Sequence, residues 1–114
     1  MKKNRCYIIA EIGGNFTNFA DAKKLINLAK KTGVDAVKLQ TFDADTLASK
    51  KAKFDMKNTG KISQYELFKK FQINEKKQKK IFSYCAKKKI ECFSTPAHPT
   101  DIDMLEKFNV KYHK

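Results

Sequence analysis

No stretch of this 114-residue chain approaches the ~18 consecutive apolar residues that a membrane-spanning helix needs. The basic opening, Met1-Lys-Lys-Asn-Arg5, is followed only by the short apolar run Cys6 to Ala10. Glu11 ends that run, and no small-residue cleavage site follows. A cytoplasmic location is therefore expected, with no membrane partner. The three cysteines, Cys6, Cys85 and Cys92, form no Cys-x-x-Cys pair. Their odd number argues against a disulfide framework and for free thiols in a reducing compartment. Arginine is nearly missing: Arg5 is the only one among 25 basic residues. Arginine is the usual residue for bidentate phosphate and base recognition. The net charge of +13 thus reads as a lysine-rich solvated surface rather than a nucleic-acid face. Glycine is scarce, at four residues. Gly13 and Gly14 are adjacent with no third glycine at helical spacing, so a dinucleotide fingerprint is absent, and so is a phosphate loop ending in Gly-Lys-Ser/Thr. The two histidines, His98 and His113, share no metal-ligand spacing.

What the chain does have is a repeated pattern of apolar runs that end in polar residues, each followed by a helical period. The length allows one domain at most. Cys6 to Ala10 reads as a first strand, and a helix from about Ala20 to Thr32 carries Ala22, Leu25, Ile26 and Ala29 on one face, with Gly33 placed to end it. Ala36 to Gln40 reads as a second strand. The segment from Thr41 to Asn74 is longer than most connections. It contains a turn signal, Lys57-Asn-Thr-Gly-Lys61, and a short helix over Gln64 to Phe71. Asn74 is a plausible N-cap for a helix with Ile81, Phe82 and Cys85 on its inner stripe. Glu91 to Ser94 reads as a third strand. Thr100-Asp-Ile-Asp103 reads as a capping box opening another helix, with Met104, Leu105 and Phe108 facing inward. Val110 to His113 begins a fourth strand. Alternation of this kind implies right-handed crossovers and a parallel sheet. It fits either a doubly wound sheet or the start of a (β/α)8 barrel, which needs roughly 250 residues.

Ligands in both architectures bind at the C-terminal ends of the strands. Those ends here carry Glu11, Lys38, Gln40, Ser94 and Thr95, which the pattern directs toward one face. Lys38 is the sharpest of them. A lysine within an apolar strand must be neutralised, paired with an acid or bound to an anion, unless its head reaches solvent at the strand end. Glu11 is the nearest candidate acid. Gln40 and Thr95 can bond a ligand or satisfy backbone groups.

These residues carry a resemblance. Tyr7-Ile-Ile-Ala-Glu-Ile-Gly13, Gly33-Val-Asp-Ala-Val-Lys-Leu-Gln-Thr-Phe42, Lys57-Asn-Thr-Gly60, the Lys69-Lys70 pair, Phe93-Ser-Thr-Pro96 and Asp103-Met-Leu-Glu106 stand in the order and register of the N-acetylneuraminate (sialic acid) synthase family. The chain resembles about the first third of such an enzyme: the first three to four β/α units of its (β/α)8 TIM barrel, without the second barrel half or the small antifreeze-like domain. The resemblance implies condensation of phosphoenolpyruvate with N-acetylmannosamine or a related amino sugar. C3 of phosphoenolpyruvate attacks the open-chain aldehyde, water adds at C2 and phosphate leaves. It implies a divalent metal, Mn2+ or Mg2+, that polarises the aldehyde, with histidine ligands beyond Lys114, and a homodimer for the full-length enzyme. Carried over by motif, Lys38, Thr95 and Lys114 resemble contacts to phosphoenolpyruvate. Glu11 and Gln40 resemble residues facing the sugar and the reacting centre, Glu11 as the catalytic one. Legionaminate synthases are near neighbours, and the Ser-Thr-Pro motif looks less like the pseudaminate branch. Two positions depart from the family pattern. Phe16 stands where an imidazole is usual, and Ala97-His98 stands where Phe-Asp is usual. An inactive relative and a lysine-rich anion-binding module are the competing readings.

Overall fold

A computed structural model describes residues 5–114. Three strands, β1 (Ile9–Glu11), β2 (Ala36–Thr41) and β5 (Glu91–Pro96), form a parallel sheet in the order β1-β2-β5. The register sets Glu11 beside Lys38 and Lys38 beside Phe93, with Gln40 beside Thr95. A parallel bridge joins Ser94 to His113. The fourth strand expected over Val110–His113 is thus present at one residue pair only, yet it lies where sequential winding places it. The first strand is shorter than expected and shifted: pairing starts at Ile9 and takes in Glu11, while Cys6 to Ile8 remain exposed.

Two long helices cover one face of the sheet. Helix α1 (Phe19–Thr32) is capped by Asn18, whose side chain accepts from the Asp21 N–H at 2.9 Å. It ends at Gly33, whose φ of 79° is costly for any residue with a Cβ. Helix α4 (Glu75–Lys88) is capped by Asn74 as the sequence suggests. Ala22, Ile26, Ile81 and Cys85 from these helices meet Val37, Leu39 and Cys92 from the strands in one core. The order of these strands does not reverse and α1 and α4 pack together, an arrangement consistent with the first units of a barrel.

The long connection after β2 holds more structure than expected. Helix α2 (Ala44–Leu47) is followed by an antiparallel hairpin of β3 (Lys53–Met56) and β4 (Gly60–Ser63), then by α3 (Gln64–Phe71). Gly60 turns the hairpin with φ +64°. Edge-to-face contacts of Phe68 with Phe42 and Phe54, at 5.4 and 5.7 Å between ring centroids, pin this excursion to the end of β2.

Helix α5 (Pro99–Glu106) starts before Thr100, correcting the expected capping box. Its cap is His98, whose Nδ1 accepts from the Thr100 N–H at 3.3 Å. Asp101 closes the box: its Oδ2 accepts from the N–H groups of His98 at 2.9 Å and Ala97 at 3.2 Å. Pro99 at the first helical position favours this start. Asp101 is buried, and Ala97 keeps a second acceptor in the Thr41 carbonyl at 3.1 Å, so Asp101→Ala should strand the His98 N–H alone and cost about 1 kcal/mol. Thermal unfolding of the variant checks this, and an unchanged melting temperature would refute it. Leu105 is fully buried as expected, whereas Met104 and Phe108 are only partly covered. Among the described residues, no helix covers the opposite face of the sheet. Tyr7, Ile9 and Tyr112 are exposed. Tyr112 packs on Phe93 at 4.8 Å, and its hydroxyl lies 2.9 Å from that of Tyr7.

Candidate active site

Successive side chains of a strand point to opposite faces. Val37, Leu39 and Cys92 enter the helix-side core. Glu11, Lys38, Gln40, Phe93 and Thr95 therefore share the helix-free face. At its centre, Lys38 is nearly buried, its side chain 11% exposed. Its ammonium pairs with the Glu11 carboxylate and donates to Thr95 Oγ1 at 2.9 Å. Glu11 is 40% exposed, and its other oxygen accepts from the Gly13 N–H at 2.9 Å. The buried cation is thus compensated, as burial requires, by an acid that solvent can still reach.

The loop after β1 is laid against the next strand. The N–H groups of Ile12 and Gly13 both donate to the Lys38 carbonyl, at 3.0 and 3.2 Å. A Cβ on Gly13 would fall 2.6 Å from the Gln40 nitrogen, 2.8 Å from Gln40 Cγ and 2.9 Å from Glu11 Oε1. Only glycine permits that approach, and this is how Gln40 joins the group.

Four of the five expected site residues, Glu11, Lys38, Gln40 and Thr95, come together. Lys114 does not make contact with them: it joins through its backbone, its N–H donating to the Ser94 carbonyl at 3.1 Å. Ser94 is a correction. It lies on the helix side of β5, fully buried, with its hydroxyl on Thr41 at 2.6 Å; the strict alternation of the strand puts it opposite Thr95. The two departures from the family pattern are absorbed locally. Phe16 is buried in the core with Ile12 and Ile73, and His98 caps α5. Sequence reasoning missed the buried set Thr41, Gln78 and Ser94. The only signal for it was polar residues at apolar positions of the period. Among the described residues, no three His, Cys, Asp or Glu side chains could hold a metal ion. The divalent ion implied by the resemblance has no ligand set among the described residues. No helix among the described residues is long and apolar enough to cross a membrane.

A nearly buried lysine, an acid and hydroxyl and amide groups thus gather at the C-terminal ends of the parallel strands of an α/β protein. The NeuB family matches residues 25–114, and the chain belongs to that family. It is 39% identical over 111 residues to an N,N'-diacetyllegionaminic acid synthase of Legionella pneumophila, covering 93% of this chain and 31% of that protein. It is 34% identical over 110 residues to a pseudaminic acid synthase of Campylobacter jejuni, covering 92% and 32%. The crystal structure of an N-acetylneuraminic acid (sialic acid) synthetase from Leptospira borgpetersenii, in complex with citrate, superposes with a TM-score of 0.74 at 23% identity, over 95% of this chain and 35% of that one. The chain thus spans about a third of the length of these relatives. Sialic, legionaminic and pseudaminic acid synthases are all nonulosonic acid synthases, and that is the enzyme class to which the relatives belong.

Proposed function

We propose that the chain supplies the first β/α units of a (β/α)8 barrel synthase that condenses phosphoenolpyruvate with an N-acetylated amino sugar, giving a nonulosonic acid and phosphate. The observation that carries this is Lys38: a nearly buried ammonium at the C-terminal end of the central strand, on the face without helices, held by Glu11 and Thr95. Phosphoenolpyruvate brings a carboxylate and a phosphate. Either anion can take the place of Glu11 on Lys38, while the Thr95 hydroxyl turns to donate to it. Glu11, still oriented by the Gly13 N–H, is then free at the reacting centre. There it takes the proton released as water adds at C2 of phosphoenolpyruvate. Gln40, seated against Gly13 and Gly14, offers both a donor and an acceptor to a sugar hydroxyl or N-acetyl group. Lys114 follows His113, which bridges to Ser94, and a longer fourth strand there would carry its ammonium to the same anion. The exposed Tyr7, Ile9 and Tyr112 on the inner face, and Ile8, Leu28 and Ile102 elsewhere, support further barrel strands and helices as their cover. The Ser-Thr-Pro motif and Ile12-Gly13, which look less like the pseudaminate branch, lean toward a sialic or legionaminic amino sugar.

The test is isothermal titration of the purified chain with phosphoenolpyruvate, with sulfate as the control anion. Saturable binding of phosphoenolpyruvate that exceeds sulfate and disappears on changing Lys38 is expected. Equal binding of both anions, or binding insensitive to Lys38, would overturn the proposal. Binding to DNA with a steep salt dependence would favour the lysine-rich module instead. The chain alone is expected to release no phosphate from phosphoenolpyruvate with N-acetylmannosamine, because four strands cannot enclose the site. A phosphate-release assay decides this, and turnover by the chain alone would refute it.

A further inference from the structure

Behind the candidate site, three polar side chains are shut entirely from solvent: Thr41, Gln78 and Ser94. Thr41 Oγ1 lies 3.0 Å from Gln78 Oε1 and 2.6 Å from Ser94 Oγ, and Gln78 Nε2 lies 2.9 Å from the Ile73 carbonyl. The direction of every proton is fixed. The Ile73 carbonyl can only accept, so the amide nitrogen of Gln78 faces it. Oε1 of Gln78 can only accept, so Thr41 spends its one hydroxyl hydrogen there. Ser94 must then donate to Thr41. The chain runs one way, from Ser94 through Thr41 and Gln78 to Ile73.

Thr41 follows Gln40 and Ser94 precedes Thr95. Because side chains alternate between faces, this chain on the helix side backs directly onto Gln40 and Thr95 on the other. An apolar trio would fill the same space without the cost of burying polar groups. What the hydrogen bonds add is direction: they hold the ends of β2 and β5 and the first turns of α4 at one relative height, where apolar contacts would tolerate sliding. We propose that Gln78 is a positioning residue, which through Thr41 and Ser94 sets where Gln40 and Thr95 stand at the mouth of the site. The role of those two residues as ligand contacts rests on the phosphoenolpyruvate reading above.

Two variants of the full chain test this. Gln78→Met keeps length but leaves the Thr41 hydroxyl without its acceptor. The triple variant Thr41→Val, Gln78→Met, Ser94→Ala removes the whole chain and leaves only the Ile73 carbonyl without its donor, one group fewer than the single variant strands, so it should fold even where the single variant does not. Phosphoenolpyruvate affinity, measured by titration, should fall roughly tenfold or more in the triple variant while its melting temperature stays near that of the parent. Backbone amide exchange at Gln40, Thr95 and Ala97 should quicken, with Val37 and Cys92 unaffected. A folded triple variant that binds within about twofold of the parent and keeps its exchange pattern would overturn the inference. If the parent binds no phosphoenolpyruvate, the substrate reading fails. The exchange rates at Gln40 and Thr95 still decide whether Gln78 positions them.

Discussion

Lys38→Met is expected to remove phosphoenolpyruvate binding and leave the chain folded. Methionine keeps the buried stem filled and deletes only the ammonium. Each charge-assisted hydrogen bond from that ammonium to an anion is worth roughly 1.5–3 kcal/mol, so affinity should drop on the order of tenfold to a hundredfold. Stability should hold or rise. The partner left behind, Glu11, is 40% exposed and keeps the Gly13 N–H, so water can solvate it and no buried charge is stranded. The reverse change strands the other partner. Glu11→Gln leaves the nearly buried Lys38 with a neutral amide and Thr95, and should cost about 1–3 kcal/mol of stability. Titration calorimetry and thermal unfolding of both variants read this asymmetry. If Lys38→Met binds normally yet melts several degrees lower, Lys38 is structural and the assignment of the site fails.

Gly13→Ala should disturb fold and site together. The added Cβ would meet a backbone nitrogen at 2.6 Å, and unlike a flexible side chain, a sheet backbone cannot step aside. The loop itself must lift. Lifting it breaks the Ile12 and Gly13 bonds to the Lys38 carbonyl and the Gly13 bond to Glu11. Overpacking of this kind costs typically 1–3 kcal/mol. In a domain of this size that is a fall in melting temperature of very roughly 4–20 °C. Gly14→Ala is the informative comparison: its φ of +74° strains any other residue, but the Cβ would come no closer than 3.6 Å to Gln40. Only the Gly13 change should displace Glu11 and so weaken phosphoenolpyruvate binding beyond its effect on stability. Equal loss of binding in both variants would refute the close-approach argument.

Much of this arrangement could be read from residue order. The periods of α1 and α4, the cap at Asn74 and the strand at Ala36 are local signals, and local signals survive folding. The pairing of Lys38 with Glu11 was legible for a different reason; its bond to Thr95 was not. A charged residue in an apolar strand demands partners, and the ends of the neighbouring strands were the nearest source. What stayed hidden depends on register and on groups far apart in sequence. The strand at Lys53–Met56 alternates polar and apolar residues, but over four residues that period is too short to stand out; it forms because Gly60 turns the chain back and Phe54 packs on Phe68. The start of α5 lies two residues before the expected cap at Thr100 because a histidine is an uncommon cap, and Pro99 with Asp101 outweighs the Thr100 signal. Ser94 was assigned to the wrong face because a run of polar residues at a strand end does not itself say which of them points inward.

The hydroxyl bridge between Tyr7 and Tyr112 gives the molecule a built-in optical gauge. The chain has no tryptophan and four tyrosines, so phenol absorbance is unobscured. Burial and the bond from Tyr112 push the Tyr7 phenol up to about 12. A phenol held protonated by the fold stabilises it below the ordinary phenol value near 10, and that contribution fades as pH climbs from about 10 to 12. Tyr65, bonded to Asp45, is pushed up as well, so the part of a late phenolate step that Tyr112→Phe removes is what reports that the first strand and the bridge at His113 still face each other. Its shift to the ordinary range reports that they have parted. Tyr112→Phe should bring that step down without any change at the other end of the sheet, which makes closure of the inner face measurable in a cuvette, residue by residue, with no label attached.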